Sequence, residues 1–203
     1  MKYPLSQIIR DVRVLLDLDA DEPPLIPPVC TGALTIGEKI RAMVEWGARQ
    51  VIEEAPASQL QEAVPLKGRL AWHDAPGVGM ALLLLPDDFL RLVAIRLSDW
   101  HRDARIITDT DAEYLWQSSR FPAIRGNPQR PVAVIVGTPM GKAVELYCSY
   151  AGSEVVLSKA LYQPLPRISH EHILLPSPLY YDIIGRIASL VRQTFTNINP
   201  QQP

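Results

Sequence analysis

The sequence predicts an α+β fold: a helical bundle of two N-terminal helices and one C-terminal helix, with a central antiparallel β layer. Near both ends of the chain, apolar residues recur at three- and four-residue spacing. The middle replaces that spacing with short apolar or alternating runs separated by Gly, Pro and Asp. The order helix, helix, strands, helix segregates the two element types, unlike the regular alternation of a parallel α/β sheet.

The 203 residues are expected to form a single domain over 1–203, and the 47% hydrophobic content is ample for a core. The 19 prolines cut the chain into short elements and argue against a helical solenoid. A net charge of −2 and a pI near 6.1 lack the basic footprint of a nucleic-acid binder. The cations are 15 Arg against 5 Lys, and arginine suits bidentate ion pairs at interfaces. Cys30 and Cys148 lie far apart without a CxxC spacing, and read as small buried hydrophobes rather than a disulfide or zinc ligands. No apolar run approaches the ~18–20 residues of a membrane span. The opening residues carry no apolar signal core, so synthesis and folding in the cytoplasm are expected.

Leu5, Ile8, Ile9, Val12, Leu15 and Leu16 mark an amphipathic first helix of about three turns. Pro23-Pro24 and Pro27-Pro28 then enforce a proline-rich arm over 19–34. Thr35-Ile36-Gly37-Glu38 reads as a capping box, and the stripe Ile36, Ile40, Met43, Val44, Gly47, Ala48, Val51 carries a second helix over 36–54. Pro56 stops it.

Strands are expected over 64–72 and 80–85, around a turn at 73–77. Another is expected over 91–100, where Leu92, Ala94, Arg96 and Ser98 alternate with Val93, Ile95 and Leu97. Thr110, with Glu113 three residues on, caps an expected helix over 109–117. A loop follows over 118–131. A hairpin over 132–136 and 143–150 and a strand over 154–157 complete the β layer. Ser177 as N-cap and Pro178 at the first helical position open the last helix. Its apolar face is Ile183, Ile184, Ile187, Ala188, Val191 and Phe195, and residues 197–203 form a polar, flexible tail.

His170-Glu171-His172 is the sharpest metal-like cluster, since residues two apart on a strand face one side. No third ligand is marked by spacing, so the segment reads as exposed and polar. Asp87 and Asp88 point to opposite faces of an extended chain; at a Pro-Asp-Asp corner they read as Asx-turn acceptors, with Phe89 or Leu90 anchoring the corner in the core. No nucleophile elbow, P-loop or dinucleotide fingerprint occurs. Between 89 and 130, seven arginines (Arg91, Arg96, Arg102, Arg105, Arg120, Arg125, Arg130) mix with five acids, and Trp100, Tyr114 and Trp116 are interleaved. That mixture fits a protein interface better than a nucleic-acid surface. No catalytic, cofactor-binding or metal-binding residue is assigned, and no enzyme activity is expected.

The order of several short motifs resembles a known family. Leu85-Pro86-Asp87-Asp88-Phe89-Leu90-Arg91-Leu92 is followed by Glu113-Tyr114 with Gln117, then by Asn127-Pro128-Gln129-Arg130-Pro131-Val132. Later come Glu145-Leu146-Tyr147 and a helix opening Pro178-Leu179-Tyr180, and Ile8-Ile9-Arg10 lies in the first helix. In this order they resemble the head–tail adaptor, or head-completion, proteins of short-tailed phages, with their "Y-x-LP-x-DFLR" corner. Trp116-Gln117-Ser118-Ser119-Arg120 with Gly126-Asn127-Pro128 is similar to virion proteins of Bacteroidales phages and prophages. The chain departs from the pattern in its proline-rich arm and in lacking a charge run that would define a DNA channel.

The resemblance implies a virion structural protein that forms a ring, dodecameric in relatives. Its partners would be itself, the portal protein and a tail protein, with DNA passing through the channel without sequence-specific binding and no membrane involved. The alternatives are a metal-dependent hydrolase using His170 and His172, and a monomeric α+β ligand-binding module.

Overall fold

The computed structural model describes residues 1–16, 35–75, 78–119, 121, 123–147 and 155–196. The arm at 19–34, the tail at 197–203, Cys30 and Cys148 lie outside the described residues. The fold is α+β, and the chain divides into two compact units, residues 1–62 with 165–203 and residues 63–164. No helix among the described residues is long and apolar enough to cross a membrane.

The first unit holds the helices. Strand β1 (Lys2–Pro4) leads directly into α1 (Leu5–Leu15), whose Leu5, Ile8 and Val12 are buried. Helix α2 (Ile36–Glu54) begins and ends where expected, because its capping box forms. The Thr35 hydroxyl accepts from the Glu38 N–H, and the Glu38 carboxylate accepts from the Thr35 N–H at 2.7 Å. Ile40, Val44, Gly47, Ala48 and Ile52 form its buried stripe. Helix α4 (Tyr180–Thr196) packs on both α1 and α2, with Ile183, Ile184, Ile187, Ala188 and Val191 buried. Its opening differs from expectation: a 3₁₀ turn, Ser177–Leu179, precedes it, so Ser177 is no cap and its hydroxyl donates to Glu62.

Tyr180 ties three elements of this unit together. Its ring stacks on Tyr3 of β1 at 4.4 Å, and its hydroxyl donates to Asp11 of α1 at 2.6 Å. Burial, and then the Asp11 bond, raise its phenol above the ordinary range.

Strand β1 pairs antiparallel with β11 (His172–Leu174), which pairs with β10 (Ile168–Ser169). Only His170 and Glu171 connect the last two strands, both at positive φ, 48° and 60°. A two-residue hairpin needs that backbone to match the strand twist, although Asn-Gly is the usual filling. Helix α2 braces the turn. Arg41 donates to both Glu171 carboxylate oxygens at 2.9 and 2.6 Å, and Glu45, one turn on, accepts from the Ile168 N–H.

The second unit is the β layer. One sheet runs β2-β9-β5: Val64–Pro65, Leu157–Pro164 and Phe89–Leu97. The other runs β3-β4-β8-β7-β6: Ala71–Ala75, Val78–Leu84, Gly141–Tyr147, Val132–Thr138 and Arg105–Thr108. A core joins the two sheets. Ala81, Leu83, Ala133, Val144 and Leu146 from the five-stranded sheet meet Leu92, Ile95, Leu97, Ala160 and Tyr162. The opposite face of β7 and β8 buries Val132, Val134, Val136, Ala143 and Tyr147 with Ile107. Burial on both faces explains the unbroken apolar run of β7.

Several expectations need correction here. The layer is not wholly antiparallel: β6 pairs parallel with β7, the crossover 109–131 returning the chain to the same end. The expected strand over 64–72 is broken between β2 and β3. The strand expected at 154–157 lies later, as β9. Alternation along β5 fails because register shifts at Phe89/Arg91, Leu92/Ala94 and Arg96/Leu97 rotate the strand, so Leu92, Ala94, Ile95 and Leu97 are all buried. The helix expected over 109–117 is reduced to α3 (Tyr114–Gln117). The Asp111 carboxylate accepts from the Thr108 N–H at 2.7 Å and its hydroxyl at 2.9 Å, and this local bonding makes turns where a cap was expected at Thr110.

Candidate functional site

The crossover from β6 to β7 builds a pocket of about 500 Å³, within the second unit. Its cationic liners are Arg102, Arg105, Arg125 and Arg130, and its acidic liners are Asp103 and Glu113. Arg102 and Asp103 precede β6, Arg105 opens that strand, and Glu113 and Trp116 come from α3 and the residue before it. Arg125 and Arg130 arrive on the loop that leads into β7.

That loop is held by specific bonds. Gln117, only 2% exposed, donates through Nε2 to the Glu113 carbonyl and accepts at Oε1 from the Gly126 N–H at 2.9 Å. Gly126 is closely packed: a Cβ there would lie 3.1 Å from two side-chain atoms of Val132. Asn127 Oδ1 accepts from the N–H groups of Gln129 and Arg130, both at 3.0 Å, an Asx turn that fixes the Arg130 backbone. The Arg105 N–H donates to the Pro131 carbonyl, which fastens the loop's end to β6.

The charges inside are unequally matched. Arg105 Nη2 lies 2.9 Å from Glu113 Oε1, and Lys159 of β9 donates to Asp103 at 2.6 Å. Arg102, Arg125 and Arg130 have no side-chain partner among the described residues. For Arg125 this is costly, since its Nε and Nη1 are shut off from solvent and meet no acceptor. A buried donor left unsatisfied costs about 1–3 kcal/mol, and more when charged. Arg102 and Arg130 are exposed, so theirs are the guanidinium groups within reach of an external oxyanion.

Beside it the surface is apolar. Leu115 is 77% exposed, Phe121 56%, Ile124 53% and Trp116 52%.

The structure gathers some of the expected arginines and disperses others. Arg96 is structural, donating to the Trp100 and His101 carbonyls. Arg91 lies on β5, outside the pocket liners, and Arg120 falls outside the described residues. The buried brace Gln117 and the close approach at Gly126 carried no signal of their own in the sequence, because their partners, four to nine residues away, are brought together by an irregular loop that follows no helical or strand period.

His170 and His172 do not share a strand face. His170 sits in the hairpin turn, its carbonyl 2.7 Å from His172 Nδ1. Among the described residues no group of three His, Cys, Asp or Glu is placed to hold a metal ion. Asp87 and Asp88 do not form a dyad either. The corner is closed by the Phe89 N–H donating to the Pro86 carbonyl, rather than by the carboxylates expected to do so. Asp88 instead accepts from the Tyr162 hydroxyl at 3.1 Å, and Phe89 is 5% exposed and stacks on that tyrosine. Tyr147, buried behind β8, donates to Glu145 at 2.7 Å; burial and then that bond push its phenol far up, so the pair holds its proton.

No protein-family model matches the chain, and no curated protein matches it significantly.

Proposed function

We propose that this chain is a phage virion structural protein, a head–tail connector that assembles as a ring, docks on the portal and links it to the tail. The observation that carries the reading is the surface at 102–132, where exposed Leu115, Trp116, Phe121 and Ile124 stand beside arginines with unused hydrogen-bonding capacity. Aromatic side chains and arginine are the residues enriched at protein–protein interfaces and at their energetic centres. The ordered motifs from Leu85-Pro86-Asp87-Asp88-Phe89 to Pro178-Leu179-Tyr180, which resemble the adaptor family, support the same reading. A ring of identical subunits also needs two different surfaces on each copy, one giving and one receiving.

In this reading the protein is made in the host cytoplasm and ends in the virion, and DNA crosses the ring without base-specific contact. The experiment mixes purified protein with portal rings from the same phage element and images the product. Ring-on-ring complexes at micromolar concentration are expected. Particles lacking the protein should package DNA but leak it or fail to gain tails. If no such complex forms and one zinc per chain is found on His170 and His172, the connector reading is wrong and a metal-dependent hydrolase replaces it. A chain that stays monomeric beside the portal, binding only small anions in the pocket, would make it a ligand-binding module instead.

A further inference from the structure

The pocket of Arg102, Arg125 and Arg130 has three features that together define what it can take. It carries cations that no side chain among the described residues neutralises. Arg102 and Arg130 are exposed, so an incoming anion can reach them. The pocket's surroundings are aromatic and aliphatic rather than uniformly basic, and the whole chain is acidic, at −2. A nucleic-acid backbone would call for a broad basic surface. A peptide carrying carboxylates next to apolar side chains matches both the arginines and the flanking Trp116 and Ile124.

We propose that this pocket receives the acidic segment 17–28 of a second copy of this chain. Asp17, Asp19, Asp21 and Glu22 put four carboxylates within six residues, and no Lys or Arg occurs between Arg13 and Lys39. Pro23-Pro24-Leu25-Ile26 follows at once and supplies the apolar side chains. Residues 17–34 number 18, and a chain of that length spans at most roughly 60 Å. Carboxylates in the segment would take the guanidinium donors of Arg102 and Arg130, as Glu113 already takes Arg105. An arm given by one copy and a pocket offered by the next is a heterologous contact, the type that closes rings. The choice of a second copy rests on the connector reading; the match between pocket and segment does not.

The test uses full-length protein throughout. The receptor is the chain with D17N, D19N, D21N and E22Q, whose own arm no longer competes. A fluorescent synthetic peptide of residues 17–28 should bind it, and the same peptide with its four acids neutralised should not. R102Q and R130Q, at exposed positions, should each weaken binding by roughly tenfold or more with the melting temperature kept. Added salt should weaken it further. For association, one chain carries R102E and R130E and another carries D19K and D21K. Each alone should stay monomeric, and their mixture should associate, because each variant then finds its complement on the other.

Absence of peptide binding overturns the proposal whatever the chain's assembly. Peptide binding without association in the mixture shows that the segment serves its own chain, which also overturns it. Peptide binding and association with no portal complex would leave this contact standing and remove the connector reading alone.

Discussion

Gly47→Ala probes a close contact of α2 with α4. A Cβ at Gly47 would lie 2.8 Å from Ile187 Cγ1, 3.5 Å from Leu190 Cδ1 and 3.6 Å from Ile187 Cα. Two effects oppose each other. Alanine is the better helix former by about 0.8–1.0 kcal/mol. The 2.8 Å contact is well inside the ~3.5–4.0 Å optimum for carbon pairs. Ile187 cannot easily retreat, being 0% exposed and β-branched, with one preferred χ1 rotamer in a helix. Overpacking of this kind costs about 1–3 kcal/mol, so the net effect should be a loss of about 0–2 kcal/mol. At roughly 2–4 °C per kcal/mol for a chain of this length, the melting temperature should fall by up to about 8 °C.

The sharper test is a change of sign. In an Ile187→Ala background the contact is gone and only the helix preference remains, so Gly47→Ala should stabilise that chain by up to about 1 kcal/mol. The four proteins of the cycle, unfolded in urea and followed by circular dichroism, should show a coupling of about 1–3 kcal/mol. If Gly47→Ala stabilises both backgrounds equally, the helices have slack between them and the reasoning fails.

Phe89→Ala should destabilise by about 3–5 kcal/mol, since the ring is buried at the Pro86 corner against Tyr162, whereas Asp87→Asn should leave urea unfolding unchanged; equal losses from both would refute an anchoring role for Phe89. His170→Gly should raise the melting temperature, because relief of a side chain at φ 48° is worth on the order of 1 kcal/mol while the Arg41–Glu171 pair stays; a lower melting temperature would show that the turn draws on the imidazole. Stability should also decline in alkali. Tyr147 and Tyr180 are raised in the folded chain, so their contribution is complete below the unfolded phenol value of about 10 and is lost as pH climbs towards their folded values. Tyr180→Phe should flatten that decline in urea midpoints measured from pH 8 to 11, and an unchanged slope would count against the assignment.

The elements legible in the sequence are those whose signals are local. Thr35 and Glu38 are three residues apart and cap each other, so the start of α2 needed no other part of the chain. The stripes through Ile8, Val44 and Ile187 follow the helical period and foretold that these three side chains would be buried together, all at 0% exposure. The turn between β7 and β8, and the anchoring of Phe89, were likewise readable from residues close in sequence.

What escaped the sequence depends on partners far along the chain. Strand β1 has three residues and exists because β11 pairs with it. The register shifts of β5 are set against β9 and cancel the period-two pattern that its own residues display. His170 and Glu171 both take left-handed backbone in the turn between β10 and β11, with Arg41 of α2 paired to Glu171, although such backbone is uncommon outside glycine. The arginine pocket is of the same kind. The sequence alone determined that this stretch is rich in arginine and aromatics. Only the tertiary structure decided which of these share a pocket, because the crossover from β6 to β7 folds back and brings Arg102 and Arg105 together with Arg125 and Arg130. A side chain's partners follow from the path of the backbone through space, and that path is set by the packing of the whole sheet.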